Sequence, residues 1–481
     1  MAGKKAGEGG ISRMAMKAMG IFGGVQVMTI LCSIVRTKLV ALWIGPVGVG
    51  LFGLMNNALE MLNTATNLGV RNSSVRDISQ AVGSQDRTLA GRIIAVVRRW
   101  SLWLGLGGAL LTVAVAPLLS EITFGDQDHV WSFVALSAAV LLMALTNGEQ
   151  AVLQGTARLK RLAQVALWGN VCGLAVSVPL FYWLRQDSIL PSILAYAVAM
   201  AVWACLLRGR DYAPVKVDRR TTASMGAGFV KLGVYMTIGN FAAIVASYVF
   251  NAWLNHVGGT DQVGLYQAGY TLVNKYTGLI LAALGMEYYP RLSRVAHSPM
   301  RLKAFVSQEV FIAMAVMAPV AGLFVLLRQP IVWLLYSGEF QVILTFVAWG
   351  MIGCVWRTLS WCLAFVILAK GDGHVYLFTE VTSAIVGLGL NMVCYRLWGI
   401  TGLGVSFLLW YVAYTLIVGG VYAGRYGLRL SGGSLLTTLW TLVVAGGAMA
   451  FMEAGWPVPA AALVLVSVGV ALVQLKGLWQ R

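Results

Sequence analysis

The sequence predicts an all-α protein that crosses a membrane many times. Of its 481 residues, 59% are hydrophobic and only 11% are charged. The mean hydropathy is +0.77, and the apolar residues form runs that reach the length of about 20 residues needed for one crossing. The positive charges fall on one side of these runs. Together these three observations exclude an ordinary soluble enzyme.

The apolar runs predict fourteen membrane-spanning helices joined by short segments. The spans are residues 18–43, 50–70, 100–119, 130–152, 162–184, 188–207, 232–255, 263–286, 304–327, 343–368, 375–397, 401–424, 434–452 and 456–475. The longest polar stretch, Arg208–Met225, joins the sixth span to the seventh. No segment outside the membrane is long enough for a globular domain.

The net charge of +17 follows the predicted spans closely. Of the 35 Lys and Arg residues, 28 lie in or beside segments on one side, four lie within spans, and the other side holds only Arg185, Arg328 and Arg396. Because cytoplasmic loops of membrane proteins carry the excess of Lys and Arg, both termini are predicted to be cytoplasmic. The basic charge then reflects orientation and contact with anionic lipid headgroups, and no nucleic-acid partner is expected.

Residues for redox, metal or nucleotide chemistry form no recognisable site in the sequence. The six cysteines lie in apolar helices without CxxC or CxxH spacing, so buried reduced thiols are expected rather than disulfides or a metal site. The four histidines are scattered, and no GxxxxGK[ST] pattern occurs. We therefore expect no metal and no cofactor. An ion gradient, the membrane potential or the substrate gradient would supply the energy.

The two halves of the chain resemble each other at a spacing of about 215 residues. Val49-Gly50-Leu51-Phe52 recurs as Val263-Gly264-Leu265-Tyr266. The other matched pairs are Gly69 with Gly285, Arg76 with Arg291, Gly155 with Gly371 and Gly173 with Gly389. Chance matching of apolar strings is the alternative explanation. Six spans separate the copies, so a true repeat would be parallel, a recognised transporter design.

The repeat predicts three parts of the chain. Residues 1–210 would form an N-terminal six-helix lobe and residues 211–430 a C-terminal six-helix lobe, pseudo-symmetric about a central cavity. Residues 431–481 would add two further transmembrane helices.

Opposite charges occupy pseudo-equivalent positions in the second helix of each predicted lobe. Glu60 lies mid-span, and the repeat offset places it on or beside Lys275. A charge near the bilayer centre costs about 2.5–3.5 kcal/mol on insertion scales, so such residues mainly face a watery cavity or a partner. We expect both side chains to line the central cavity and to pair in one conformational state. A static ion pair, or two unrelated residues within the lobes, is the alternative.

Further charges lie inside or near the ends of other spans. Arg357 is mid-span, and we expect it to line the cavity, whereas Arg36 and Lys38 could equally snorkel toward the outer interface. A chamber lined by cations suits an anionic headgroup such as a pyrophosphate. Glu149 and Glu380 lie shallower, within reach of cytoplasmic lysines or arginines. A structural role leads for these two carboxylates, and ion coupling or gating stays open.

Three stretches of the sequence resemble the Wzx-type polysaccharide flippases of the multidrug/oligosaccharidyl-lipid/polysaccharide exporter superfamily. They are Ile44–Ser79, Val263–Ser293 and Arg328–Gly371, and the match is nearest to O-antigen and enterobacterial-common-antigen flippases. The resemblance implies two six-helix bundles around a cavity with alternating access. It implies a cargo of undecaprenyl-pyrophosphate-linked oligosaccharide in the bacterial inner membrane. A polysaccharide polymerase and a chain-length regulator are the candidate protein partners.

The resemblance also implies that cavity cations hold the pyrophosphate and sugars, a role we assign to Lys275 and Arg357 first and to Arg36 and Lys38 next. Glu60, Glu149 and Glu380 are the gating or coupling candidates. An ion-coupled drug exporter of the same superfamily is the main alternative, and a carboxylate-dominated cavity would favour it. A membrane enzyme such as a polysaccharide polymerase would want a large loop outside the bilayer. The sequence has none, so no enzyme activity is expected.

Overall fold

The computed structural model describes residues 24–67, 69–84, 86–208, 215 and 217–479. Within these residues the chain is helical and contains no strand. The predicted cytoplasmic start of the chain, residues 1–17, lies outside the described residues. The helices are α1 (described over Gly24–Trp43), α2 (Pro46–Asn67), α3 (Val70–Gly83), α4 (Arg87–Phe124), α5 (Val130–Gly155), α6 (Leu159–Leu184), α7 (Ile189–Leu206), α8 (Arg219–Gly258), α9 (Thr260–Tyr270), α10 (Thr277–Val295), α11 (Pro299–Leu326), α12 (Arg328–Leu335), α13 (Leu344–Ala369), α14 (Gly373–Gly420), α15 (Gly432–Glu453) and α16 (Pro457–Trp479).

The helices identify a multi-pass membrane protein. In the described part of the chain, nine helical stretches are long and apolar enough to cross a membrane. Each of the fourteen predicted spans overlaps one of the helices. Two of the nine stretches, Leu159–Leu206 and Gly373–Arg425, each cover two predicted spans to within one residue. The all-helical membrane class is therefore confirmed, and the number of crossings stays a prediction.

The chain forms two compact units, residues 1–259 and 260–481. The first ends after α8, which the repeat assigns to the second lobe. The predicted boundary near residue 210 follows sequence symmetry rather than packing, and it stays a prediction, as do the lobes and their central cavity.

In the first unit, α8 packs lengthwise on α4 through polar contacts near both ends. Near one end, Arg99 donates to the hydroxyl of Thr222 at 3.0 Å. Near the other, the Thr123 and Tyr248 hydroxyls lie 2.7 Å apart, and Asn255 donates to the Thr123 carbonyl at 2.9 Å. Side-chain hydrogen bonds between helices gain value where water is excluded. They explain why α8 belongs to the first unit.

In the second unit, α11 is the support for the last two helices. Ser434 of α15 donates to the Ser307 carbonyl at 2.7 Å, and Thr441 donates to the Met314 carbonyl at 3.1 Å. Gly322 lets α11 approach both helices closely, because a Cβ there would lie 2.9 Å from Val464 and 3.0 Å from Val444. Small residues and hydroxyl bonds of this kind are what hold membrane helices together.

The repeated motif starts a helix in both units. Gly45 and Gly259, each four residues before the matching Val-Gly pair, have φ values of 80° and 89° and come directly before α2 and α9. Side chains rarely adopt such φ values, so glycine is required at both turns. Other matched glycines differ, since Gly173 packs on Tyr196 whereas Gly389 has no atom near its missing Cβ.

We predict that Gly404→Ala lowers the free energy of unfolding by about 1–3 kcal/mol, the usual cost of overpacking. An added Cβ would lie 2.6 Å from the backbone oxygen of Phe346, and this contact between α13 and α14 has no flexible atom to move. Thermal unfolding of purified protein in detergent measures the effect. Gly389→Ala on the same helix is the matched control, because no atom lies within 4 Å of its added Cβ. Equal midpoints for the two variants would contradict the packing argument.

Candidate functional site

Lys275 lies in an irregular turn of the second unit. Residues 271–276 form a π-helical segment between α9 and α10, and Lys275 is exposed there. A π segment changes the carbonyl pattern of the helix, and such segments are frequent at functional sites. Where water is excluded, backbone carbonyls that lose their partner within the helix need hydrogen-bond donors from other side chains.

Helix α13 supplies donors to this turn. Arg357 donates through Nη1 to the Asn274 carbonyl at 2.8 Å and to the Thr277 hydroxyl at 3.0 Å. The thiol of Cys354, one turn earlier, donates to the Val273 carbonyl at 3.3 Å. Arg357 therefore contacts the residue preceding Lys275, and the structure brings these two sequence-predicted cations into one neighbourhood.

The guanidinium of Arg357 is enclosed by further groups of the second unit. Its Cζ lies 5.8 Å from the ring centroid of Tyr411 on α14. Gly278 leaves room for it, since a Cβ there would lie 3.3 Å from Nη2. The contacts give Arg357 a structural task, which is to hold the π turn that carries Lys275, beside any role in binding an anion.

Arg36 lies in a second place, within the first unit. Its Cζ is 5.2 Å from the Phe52 ring centroid and 5.1 Å from that of Tyr196, and its buried Nε has no hydrogen-bond partner. These groups line a cavity of about 260 Å³ between α1, α2, α3, α5 and α7, here named the Arg36 cavity. Arg71 also lines it. Lys38, the other predicted cation of α1, is not among its lining residues.

Glu149 is a member of a buried ion cluster. It accepts from Arg98 at 2.8 Å (Nε to Oε1) and 2.9 Å (Nη2 to Oε2), and Arg208 adds a contact of 3.1 Å. The Glu149 side chain is 9% exposed and that of Arg98 23%. The bidentate geometry is the strong form of such a pair. It ties α4, α5 and the end of α7 together, as a structural carboxylate would.

The other two carboxylates have different surroundings. Glu380 accepts a hydrogen bond from the Tyr414 hydroxyl, which lies on the other side of the kink at Gly399 in α14. Glu60 is exposed on α2 and has no hydrogen bond or ion pair within the described residues. Glu60 belongs to the first unit and Lys275 to the second, and their pairing stays a prediction.

Sequence reasoning missed two charged residues. Arg71 lies one position beyond the predicted second span, so it was counted with the cytoplasmic cations, yet it lines the Arg36 cavity. Glu309 lies inside α11 and within the predicted span 304–327. A search of every predicted span for charged residues would find Glu309. Arg71 cannot be found in this way, because its place in the cavity depends on the direction in which α3 follows α2.

These features define a class of protein, a polytopic helical membrane protein with charges inside apolar helices. The fold is shared with transporters of known structure. An inward-facing multidrug resistance MATE family transporter of the MOP superfamily matches with a TM-score of 0.67 at 14% identity, over 89% of this chain and 98% of that one. The lipid II flippase MurJ, in its inward closed conformation, matches with a TM-score of 0.65 at 10% identity, over 95% and 98%. At these identities the similarity shows the fold alone.

The chain belongs to the polysaccharide biosynthesis protein family, whose profile matches residues 44–345, more than half of the sequence. Two curated relatives are the lipid III flippases of Escherichia coli (strain K12) and Shigella flexneri. Each is 23% identical to this chain over 390 residues, which are 80% of this chain and 92% of the relative. The predicted membership of the exporter superfamily is confirmed.

We predict that Glu149→Gln lowers the free energy of unfolding by about 1–3 kcal/mol, because it leaves the partly buried Arg98 without its charged acceptor. Thermal unfolding in detergent measures the change. Glu339→Gln is the matched control, since Glu339 is exposed at the start of a short 3-10 turn. An unchanged midpoint for Glu149→Gln would show that the cluster does not support the fold.

Proposed function

We propose that this protein is a flippase for undecaprenyl-pyrophosphate-linked oligosaccharide, an O-antigen unit or a similar repeat. The cargo would move by alternating access from the cytoplasmic to the periplasmic leaflet, without covalent change, so the protein is not an enzyme. The observation that carries the proposal is the alignment with two proteins named lipid III flippase over 92% of their length. The cations inside the apolar helices support it.

The chemistry of the cations fits a pyrophosphate. Lys275 offers a compact positive charge on an exposed side chain, and Arg357 holds the turn from which it projects. Lys meets phosphate as a point charge, whereas Arg can grip it bidentately. Lys275 and Arg357 are the proposed substrate-binding residues of the second unit. Arg36 and Lys38 are those of the first.

The carboxylates are proposed to gate or couple transport. Glu60 is the first candidate, because it is an exposed carboxylate on an apolar helix with no ion pair within the described residues. Glu380, whose partner is a tyrosine hydroxyl rather than a cation, is the second. Glu149 is the third, since its ion cluster would have to open for it to titrate.

The ion-coupled multidrug exporter is the second candidate, and the likeness to a MATE transporter supports it at the level of fold. The flippase is preferred because Lys275, Arg357, Arg36 and Lys38, the proposed substrate-binding residues, are all cations, and a cationic chamber disfavours cationic drugs. A polysaccharide polymerase is less favoured still.

The proposed setting is the bacterial inner membrane, with both termini cytoplasmic because of the distribution of Lys and Arg. Membrane lipids are the surrounding partners. A polysaccharide polymerase and a chain-length regulator would act next on the delivered cargo.

Reconstitution tests this proposal. Purified protein in liposomes should move a fluorescent undecaprenyl-pyrophosphate sugar between leaflets without ATP. Lys275→Ala and Glu60→Gln should each lower the initial rate at least tenfold, since each removes a charge placed to meet the headgroup or to gate its passage. Lys160→Ala, an exposed lysine of the first unit, and Glu339→Gln are the controls and should keep the wild-type rate.

Two results would contradict the flippase. One is near-normal movement by both variants with the lipid-linked sugar. The other is no movement of that sugar alongside robust export of a cationic dye, which would establish the drug exporter instead.

A further inference from the structure

Glu309 is an ionisable residue inside an apolar helix and has no role in the proposed function. It lies half-buried on α11, within the predicted span 304–327 and in the half of the helix nearer to Pro299. Among the described residues it has no hydrogen-bond or ion-pair partner. Ionisable residues at such positions are rare, and they often mark an ion pathway or a proton relay. The surroundings of Glu309 therefore decide what it does.

The charged residues around Glu309 do not supply it with a counter-ion of its own. Glu287 and Arg291 of α10 are near enough to act on its charge, but they form an exposed ion pair with each other at 3.1 Å. The other charged residues on α11 and on the helices packed against it are Arg294, Arg301, Lys303, Arg328, Arg357, Glu453 and Lys476. A carboxylate in an apolar helix without a close cation is more stable with a proton bound.

Tyr288 of α10 favours the protonated form of this carboxyl group. It is 1% exposed and lies within electrostatic reach of Glu309. Its hydroxyl donates to the Cys362 carbonyl at 2.8 Å, so its oxygen can only accept a further hydrogen bond. A protonated Glu309 has a proton to offer that oxygen, whereas an ionised one has only lone pairs. Three rings pack on Tyr288 with centroid distances of 5.6–5.9 Å, those of Phe305, Trp361 and Phe365.

Tyr422 supplies the donor that an ionised Glu309 needs. It lies on the π-helical segment Val421–Arg425 that follows α14, and it is 3% exposed. Its buried hydroxyl has no hydrogen-bond partner in the described part of the chain. Like Glu309, it lies within electrostatic reach of Tyr288. A buried donor without an acceptor is costly, and a bond to a carboxylate is stronger than one to a neutral oxygen.

We propose that Glu309 is a proton-binding site of the second unit, neutral when it faces the Tyr288 hydroxyl and ionised when it accepts from Tyr422. The proton comes from water and returns to it, on the side of the membrane where the basic segments lie. Loss of the proton draws α11 towards the segment after α14, and its return releases that contact. That this exchange accompanies movement of the lipid-linked cargo rests on the proposed function.

Infrared spectroscopy of the full-length protein in detergent tests proton binding without transport. Glu309→Gln should remove one component of the carbonyl band of protonated carboxyl groups. In the wild type this component should disappear only as the pH is raised through neutrality, where exposed carboxyl groups are already ionised. Tyr422→Phe should keep it to higher pH, because the ionised form loses its donor. Glu339→Gln, which alters an exposed carboxylate of the same unit, is the matched control and should titrate like the wild type.

Three results would overturn the inference. One is a band that Glu309→Gln leaves unchanged, and another is a Glu309 component that disappears at the acid pH at which exposed carboxyl groups ionise. The third is equal titration of Tyr422→Phe and the wild type, which would remove the two-state arrangement. Thermal unfolding checks the folding of each variant. Glu309→Gln should keep the wild-type midpoint, because the amide has the size of the neutral carboxyl group. A lower midpoint with the band unchanged would assign Glu309 to an ion pair with Arg291.

Transport assays separate this inference from the proposed function. In liposomes with equal pH on both sides, the initial rate of lipid-linked sugar movement should change with pH around neutrality, and Glu309→Gln should lose this change. A protein whose Glu309 binds a proton but which moves no lipid-linked sugar retains the proton site and loses the flippase. A protein that moves the sugar while Glu309 binds no proton retains the flippase and loses the site. Movement that ignores pH despite a titrating Glu309 would overturn the link to transport.

Discussion

The structure depends on satisfying polar and charged groups inside apolar helices, where water is not at hand to do so. Each unit solves this differently. Glu149 pairs with both Arg98 and Arg208 in the first unit. Arg357 instead uses its donors on the carbonyl of a π turn and on Thr277. Arg36 is the exception, because aromatic rings surround it but no acceptor meets its Nε. Arg357 therefore has a structural task beside its proposed binding role, whereas Arg36 keeps a donor without a partner among the described residues.

The same constraint explains how one fold carries different cargo. The chain shares its fold with a multidrug transporter and with a lipid flippase at 14% and 10% identity. Apolar helices with small contact residues, such as Gly322 and Gly404, suffice for that architecture. Specificity rests on the few polar side chains that the helices hold in place.

Most of the helices were predictable from hydropathy, because apolar runs of membrane length have few other structures available. Every predicted span overlaps a helix. Details set by backbone geometry were not predictable. No sequence pattern predicts the π-helical segment around Lys275. Nor does the sequence distinguish Gly399, which has φ 59° inside α14, from the other glycines of the chain. Arg71 was missed because hydropathy ends a span without showing where the chain turns next. The site residues were found by charge, but which charges are satisfied emerges only from the side-chain contacts.

The central claim is that the exposed charged side chains of Glu60 and Lys275, which lie inside apolar helices, face a water-filled path. Labelling of single cysteines with a membrane-impermeant thiol reagent tests it most directly, because the reactive thiolate forms only where water reaches it. In a cysteine-free background, cysteines at positions 60 and 275 should react at least tenfold faster than one at Leu110, an exposed apolar residue of α4. Reaction at the two charged positions no faster than at Leu110 would place these side chains against lipid and contradict the account.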